Sequence, residues 1–450
     1  MSYARSTPDQ SPPLIASRQN TLVMAIFLCA AFFFQLRFNV SPHVMNLFVT
    51  YTDTGGAIYE KLHFGSIGIF LLLPFAVASR PFVLRGSDIV LFRSALLFSC
   101  LMLALIVYLG AVGRSGSVGF VIDTYVVAGF ACMIMLTLPH DMRRLLGDIT
   151  LAFLIASAVI GFFEAIAQDR LLPYPPIRDV FRPIGLTGHP LTLGAMSATA
   201  IGFVAATRWP LWVRLLAIFT LYVGAAISTA RTAFVLASLE LLLLLLFTRW
   251  SKLSKRTERR AKGIVLLLLM PLCAVLFVVL LGAGFMERFR GTLFDDSFMA
   301  RVTIYRVFDY FSWSEIMMGV HIDQLMFVVN EKLDLEFIES APVVLTMLFG
   351  LPAALVFTVA LFRLFSRLIR GAAGSAQLGA AVFIIASLSN NTFTEKTSVV
   401  TAIFVLLLAY RRPLLPAPSE APTHVTEQKR PAARAPGAAT ARRKARTAQM

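Results

Sequence analysis

The chain has 450 residues, 57% of them apolar and only 15% charged, with a net charge of +16. Soluble domains carry roughly 25% charged residues, so this composition excludes a soluble globular protein and places the chain in a bilayer. Nothing aromatic is interleaved among the basic residues of the tail after Arg411, which argues against nucleic acid as its partner. The four cysteines lie singly in apolar runs, a pattern of neither a disulfide framework nor a metal site, and read as small buried hydrophobes.

Residues 1–20 (MSYARSTPDQSPPLIASRQN) form a short polar tail. The run TLVMAIFLCAAFFFQL follows without a small-residue cleavage pattern and reads as an uncleaved first span. A span needs about 20 predominantly apolar residues. Windows of that size give an all-α membrane bundle of twelve spans, centred near Phe27, Phe70, Leu101, Ala128, Ile155, Ser197, Phe219, Leu239, Leu272, Pro352, Phe383 and Phe404. The weakest are the sixth, which is rich in small residues, and the seventh, which carries Arg214; two short or Pro-broken segments also suit re-entrant hairpins. The expected plan is a tail at 1–20, a transmembrane domain at 21–410 and a basic tail at 411–450, with one large extracytoplasmic loop (286–341) between spans nine and ten. The C-terminal tail is rich in Pro, Ala and Arg and reads as a disordered cytoplasmic segment able to touch anionic headgroups.

Orientation follows from Lys and Arg. With the N-terminus cytoplasmic, 28 of the 41 fall inside, among them RWSKLSKRTERRAK (249–262), RLFSRLIR (363–370) and the C-terminal tail. An even number of spans keeps both termini on that side, and the outside arginines become informative. Arg178 and Arg182 follow span five, Arg231 lies in START (228–232) between spans seven and eight, and Arg288, Arg290, Arg301 and Arg306 lie in the large loop. A guanidinium is a permanently charged fork that matches phosphate oxygens bidentately. Arginines gathered at headgroup depth therefore point to a bound phosphate or diphosphate. In FRPIGLTGHP (181–190), Pro183, Gly185, Gly188 and Pro190 bend the backbone toward such a ligand. Pro190 suits the first turn of span six, whose start offers N–H groups to an anion.

Three segments carry a family resemblance. FRPIGLTGHPL, STARTAF and IESAPVVLTMLFGLPAAL, in that order and topology, resemble the O-antigen polymerase and ligase superfamily, above all its VpsF-type exopolysaccharide polymerase-like branch, over roughly residues 20–410. The resemblance implies an inverting glycosyltransferase that needs no metal or cofactor and uses glycans carried on undecaprenyl diphosphate at the outer face of the bacterial inner membrane. The partners it implies are that lipid-linked oligosaccharide, membrane lipids, and polysaccharide-export and chain-length proteins. The family's two functional arginines fall by motif on Arg182 and Arg231. Where ligases carry a His-Asn pair before span ten, this chain has Glu339 and Ser340; its loop histidine, His321 in MMGVHIDQL, stands about 18 residues earlier. That departure favours a polymerase over a ligase.

Glu339 is the candidate to orient or deprotonate the acceptor hydroxyl, with a carboxylate favoured by the helix dipole as the plainer role. The substrate-contact candidates are Arg178, Gly185, Gly188, His189, Arg288, Arg290, His321 and Asp323, with turn or loop packing as the alternative for His189, His321 and Asp323. ARVTIYRVFDYF (300–311) sets Ile304, Val307, Phe308 and Phe311 at helical spacing and reads as an interfacial amphipathic helix. Glu240, the clear midplane acid, is expected to hydrogen-bond another helix, whereas Asp123 and Glu164 stand near outer span ends within reach of outside arginines. The competing functions are a glycan ligase, a lipid-linked sugar flippase and a non-enzymatic assembly scaffold. A coupled carrier calls for several midplane ionisable residues and matching broken halves, which this sequence lacks.

Overall fold

A computed structural model describes residues 13–52, 58–78, 82, 84, 86–114, 116, 118–174, 181–248, 254–282, 296–336, 338 and 340–412. In long runs of Leu, Ala, Phe and Val the backbone can satisfy its own polar groups only as helix once water is removed. The first five such helices are α1 (Pro13–Asn39), α2 (Phe64–Ala78), α3 (Ser87–Ala111), α4 (Val118–Thr137) and α5 (His140–Ala167). After them come α6 (Pro190–Ala205), α7 (Leu211–Ile227), α8 (Arg231–Phe247) and α9 (Lys255–Gly282). Three short helices, α10 (Asp296–Thr303), α11 (Trp313–Met318) and α12 (Ile322–Leu333), occupy the large loop. The chain ends in α13 (Ala341–Phe349), α14 (Leu351–Gly371), α15 (Gly374–Leu388) and α16 (Val399–Ala409). Among the described residues there is no strand, only an isolated bridge between Ala372 and Arg411.

Each expected centre falls within a helix. Five stretches are long and apolar enough to cross a membrane: α1 from Asn20, α3, α4, α5 and α14. Helices α2, α6, α7, α15 and α16 are apolar but only 10–17 residues long. At the middle of the packing, α16 is buried at every position and α6 at nearly every one. That burial explains why the sixth segment is rich in small residues. A Cβ at Gly202 would stand 2.5 Å from the Ser375 carbonyl oxygen, and one at Gly379 would stand 2.6 Å from that of Thr199, so α6 and α15 touch backbone to backbone. Arg214 is half-buried and turns toward the carbonyl at the end of α6, at 3.5 Å.

Polar contacts sort the connections into two alternating sets. One set links Val40 to His63, Thr124 to Glu395, Lys396 to Tyr51, Arg182 to Ser228 and Asn391 to Ile338. The other links Arg143 to Asp88 (2.9 Å), Arg144 to Ala206, Arg411 to Ser87 and Arg412 to Gly371. With α10–α13 taken as part of the loop after α9, the two sets are the connections, or the helix ends beside them, that follow odd and even helical segments, as in an antiparallel bundle.

Two expectations need correction. Residues 300–311 are not one α-helix: α10 ends at Thr303 and a tighter 3-10 segment runs from Ile304 to Tyr310. It keeps the same apolar face, with Ile304 and Val307 fully buried. Of the cysteines whose side chains are described, Cys132 is buried, but Cys29 and Cys100 are exposed on the outside of apolar helices; the Cys273 side chain lies outside the described set.

Candidate functional site

The turn at 181–190 is built from below by α5. Glu164, almost fully buried, accepts from the amides of Ile184 and Gly185 (both 2.8 Å) and of Leu171 (3.1 Å). Ser157 Oγ accepts from the Leu186 amide at 2.9 Å. Gly185 and Gly188 have φ of 53° and 74°. A Cβ on Gly185 would overlap the Ser157 carbonyl, and one on Gly188 would overlap the Ser41 side chain. The helix opens at Pro190, and its cap is His189, whose Nδ1 accepts from the Leu191 amide at 3.2 Å. Four amides of the expected anion cradle, those of Ile184, Gly185, Leu186 and Leu191, therefore have acceptors within the protein. These contacts correct the expected pairing of Glu164 with an outside arginine, because its acceptors are filled by neutral amides.

Above the turn lies a layer of guanidinium and aromatic groups. Arg170 stacks over the rings of Tyr174 and Phe181, 4.9 and 4.8 Å from their centroids, and its Nε donates to the Arg182 carbonyl at 3.1 Å. Tyr174 in turn meets His43 and His189 edge to face. The half-buried Arg182 donates from its guanidinium to the Ser228 carbonyl at 3.1 Å, three residues before Arg231 opens α8. The two arginine-bearing turns therefore meet at one end of the bundle. Burial, with the Arg182 charge beside it, lowers the His189 pKa to about 4, so the ring is neutral at pH 7. Burial also lowers that of His43.

A second cluster was not visible in the sequence. Within α4, residues Val121–Val126 widen into a π-helical turn, a feature found often at functional sites. The fully buried Asp123 sits on it and accepts from the Tyr51 hydroxyl and the His63 amide. Arg37, at the end of α1, donates to the Asp123 carbonyl (3.2 Å), not to its carboxylate. Lys396 donates to the Tyr51 carbonyl (3.0 Å) and lies over the Tyr51 ring. Burial lowers the Lys396 pKa to about 8 and that of His63 to about 3. Hence Asp123, like Glu164, is held by neutral donors rather than by an arginine. The segment TFTEKTS looks like an ordinary polar connection, and Arg37 counts merely as one outside cation; only the fold brings them together.

Between the two clusters lies a cavity of ≈ 210 Å³, with Arg37, His43, His189, Glu395 and Lys396 among its polar wall and Met196 and Ala402 among its apolar wall. Gly188 also lines it, whereas Arg182 and Arg231 do not. His321 and Asp323 are exposed at the start of α12, apart from the cavity lining. Arg178, Arg288, Arg290 and Glu339 lie outside the described residues. Glu240 is fully buried in α8 and turns a carboxyl oxygen to the Gly202 backbone of α6, the neighbouring helix, although no donor among the described residues meets strict hydrogen-bond geometry. Among the described residues, no group of three or more His, Cys, Asp or Glu could hold a metal ion.

The class these observations define is an all-α protein with helices of membrane-spanning length and a polar, partly cationic cavity at one end of the bundle. No protein-family model matches the sequence, and no curated protein does.

Proposed function

We propose that the chain is a polysaccharide polymerase of the bacterial inner membrane, with twelve spans and both termini cytoplasmic, joining repeat units carried on undecaprenyl diphosphate at the outer face. The observation that carries this reading is the approach of the two arginine turns, with the Arg182 guanidinium on the carbonyl of Ser228 beside Arg231. An acceptor hydroxyl attacks the anomeric carbon, the bond from that carbon to the lipid diphosphate breaks with inversion, and the hydroxyl proton passes to a carboxylate, for which Glu339 is the candidate. The diphosphate is already a good leaving group, so the protein's work is positioning and charge stabilisation. Arg182 and Arg231 supply the second. Losing one such donor slows a reaction by about 10²–10³-fold.

Cells making Arg182→Ala or Arg231→Ala are expected to lose polymer at unchanged protein level while lipid-linked repeat units accumulate outside. Near-normal polymer from either variant removes that arginine from the mechanism, and accumulation of the units inside favours a flippase.

A further inference from the structure

Glu240 poses a charge problem in the packed interior. It is fully buried in α8, six leucines and a phenylalanine follow it in that helix, and no described donor meets either carboxyl oxygen at strict hydrogen-bond geometry. An ionised carboxylate taken out of water without a paired cation or donors is among the costliest groups a protein can bury. No described cation answers it. Helices α6 and α15, which pack against α8, carry no ionisable residue. On α7, Arg214 turns to the Ala205 carbonyl (3.5 Å), and the Tyr222 hydroxyl shares a hydrogen bond with Ser238 (3.1 Å). Lys262 on α9 is held by the Leu246 carbonyl (3.0 Å) and the Glu258 carboxylate (2.8 Å). Arg231 opens α8, nine residues back, roughly 13 Å along the helix.

Glu240 faces backbone instead. Gly202 of α6 has no side chain, and the point its Cβ would occupy lies 2.4 Å from Glu240 Oε1 and 2.5 Å from the Ser375 carbonyl oxygen of α15. Two acceptor oxygens facing one gap have nothing to exchange unless one of them carries a proton. The Ser375 carbonyl uses one lone pair in the α15 ladder and keeps a second, and a protonated carboxyl has one O–H to donate.

We propose that Glu240 is a proton-binding site: it stands as the neutral acid at pH 7, and its O–H donates across the Gly202 gap to the Ser375 carbonyl, tying α8 to α15. The bound proton removes the uncompensated charge and supplies the donor that the surrounding apolar helices lack. The site is separate from the arginine turns and does not rest on the proposed polymerase reaction.

The test is infrared spectroscopy of the full-length protein in lipid nanodiscs at pH 7, with the unfolding temperature read alongside. The difference spectrum of wild type minus Glu240→Gln is expected to show the carbonyl stretch of one protonated carboxylic acid, at the lowered frequency of a hydrogen-bonded acid. Glu240→Gln keeps an uncharged donor and acceptor of the same shape and is expected to fold and unfold like wild type. Glu240→Leu keeps neither and is expected to unfold at a lower temperature. A carboxylate signal in place of the acid band overturns the site, and dependence of that signal on sodium assigns the charge balance to a metal cation instead. Failure of Glu240→Gln to fold also overturns it, because the neutral mimic meets every requirement of the proposal. An acid band at the frequency of a free acid, or Glu240→Leu as stable as wild type, overturns the bond to Ser375. Polymer assays on the arginine variants read the separate polymerase proposal, so the two can fail independently.

Discussion

At the scale of single residues, the turn at 181–190 depends on a buried carboxylate. Replacing Glu164 by Gln exchanges one acceptor oxygen for an amide donor that faces backbone N–H groups. The expected cost is about 1–3 kcal/mol, the penalty of an unmet buried polar group, seen as a lower unfolding temperature in detergent. Gly185→Ala forces a positive φ on a residue with a Cβ and drives that atom into Ser157, so it too is expected to lower stability. The histidines give the pH dependence its sign. His189 and His63 have folded pKa values of about 4 and about 3, below the ordinary ~6.5. The unfolded chain therefore takes up protons first, and stability falls as pH drops below about 6.5. Each contributes at most about 1.4 kcal/mol per pH unit. Between pH 7 and 5 most carboxylates stay ionised, so a falling unfolding temperature over that window reports these rings, and a flat profile contradicts their buried, neutral placement. From the sequence, Arg182, Arg231 and the glycines of the turn were legible as unusual. The roles of Glu164 and Ser157 were not, because nothing local distinguishes a carboxylate that will accept three distant amides from one that will pair with an arginine.

At the scale of elements, hydrophobic runs located the helices well, and misread mainly what small residues mean. The sixth segment looked weak because its length is made of Gly, Ala, Ser and Thr rather than Leu. Those residues are what let α6 lie against α15 at backbone distance. Gly379→Leu is expected to push the two helices apart and lower both yield and unfolding temperature, while Leu242→Ala, on an exposed outer surface, changes neither by much. The loop segment at 300–311 kept its amphipathic face but tightened to a 3-10 turn, since periodicity alone separates the two helix types poorly over so few residues. The π-helical turn at 121–126 left no sequence signal, and with it went any view of the Asp123 cluster.

At the scale of the whole molecule, the polar contacts gather the connections into two alternating groups, and the distribution of Lys and Arg is the ground for the proposed orientation. Reporter fusions test the proposed orientation. A phosphatase active only outside the cytoplasm is expected to work when joined near Thr392 and to fail at the C-terminus; activity at both sites contradicts the arrangement. The central claim is chemical and is tested most directly with purified protein in lipid nanodiscs supplied with an undecaprenyl-diphosphate-linked repeat unit. The account predicts a ladder of polymer, one free undecaprenyl diphosphate per bond formed, inversion at the anomeric carbon, and loss of all three signals in Arg231→Ala. Folded wild-type protein that releases no lipid diphosphate from the lipid-linked repeat unit supplied contradicts it.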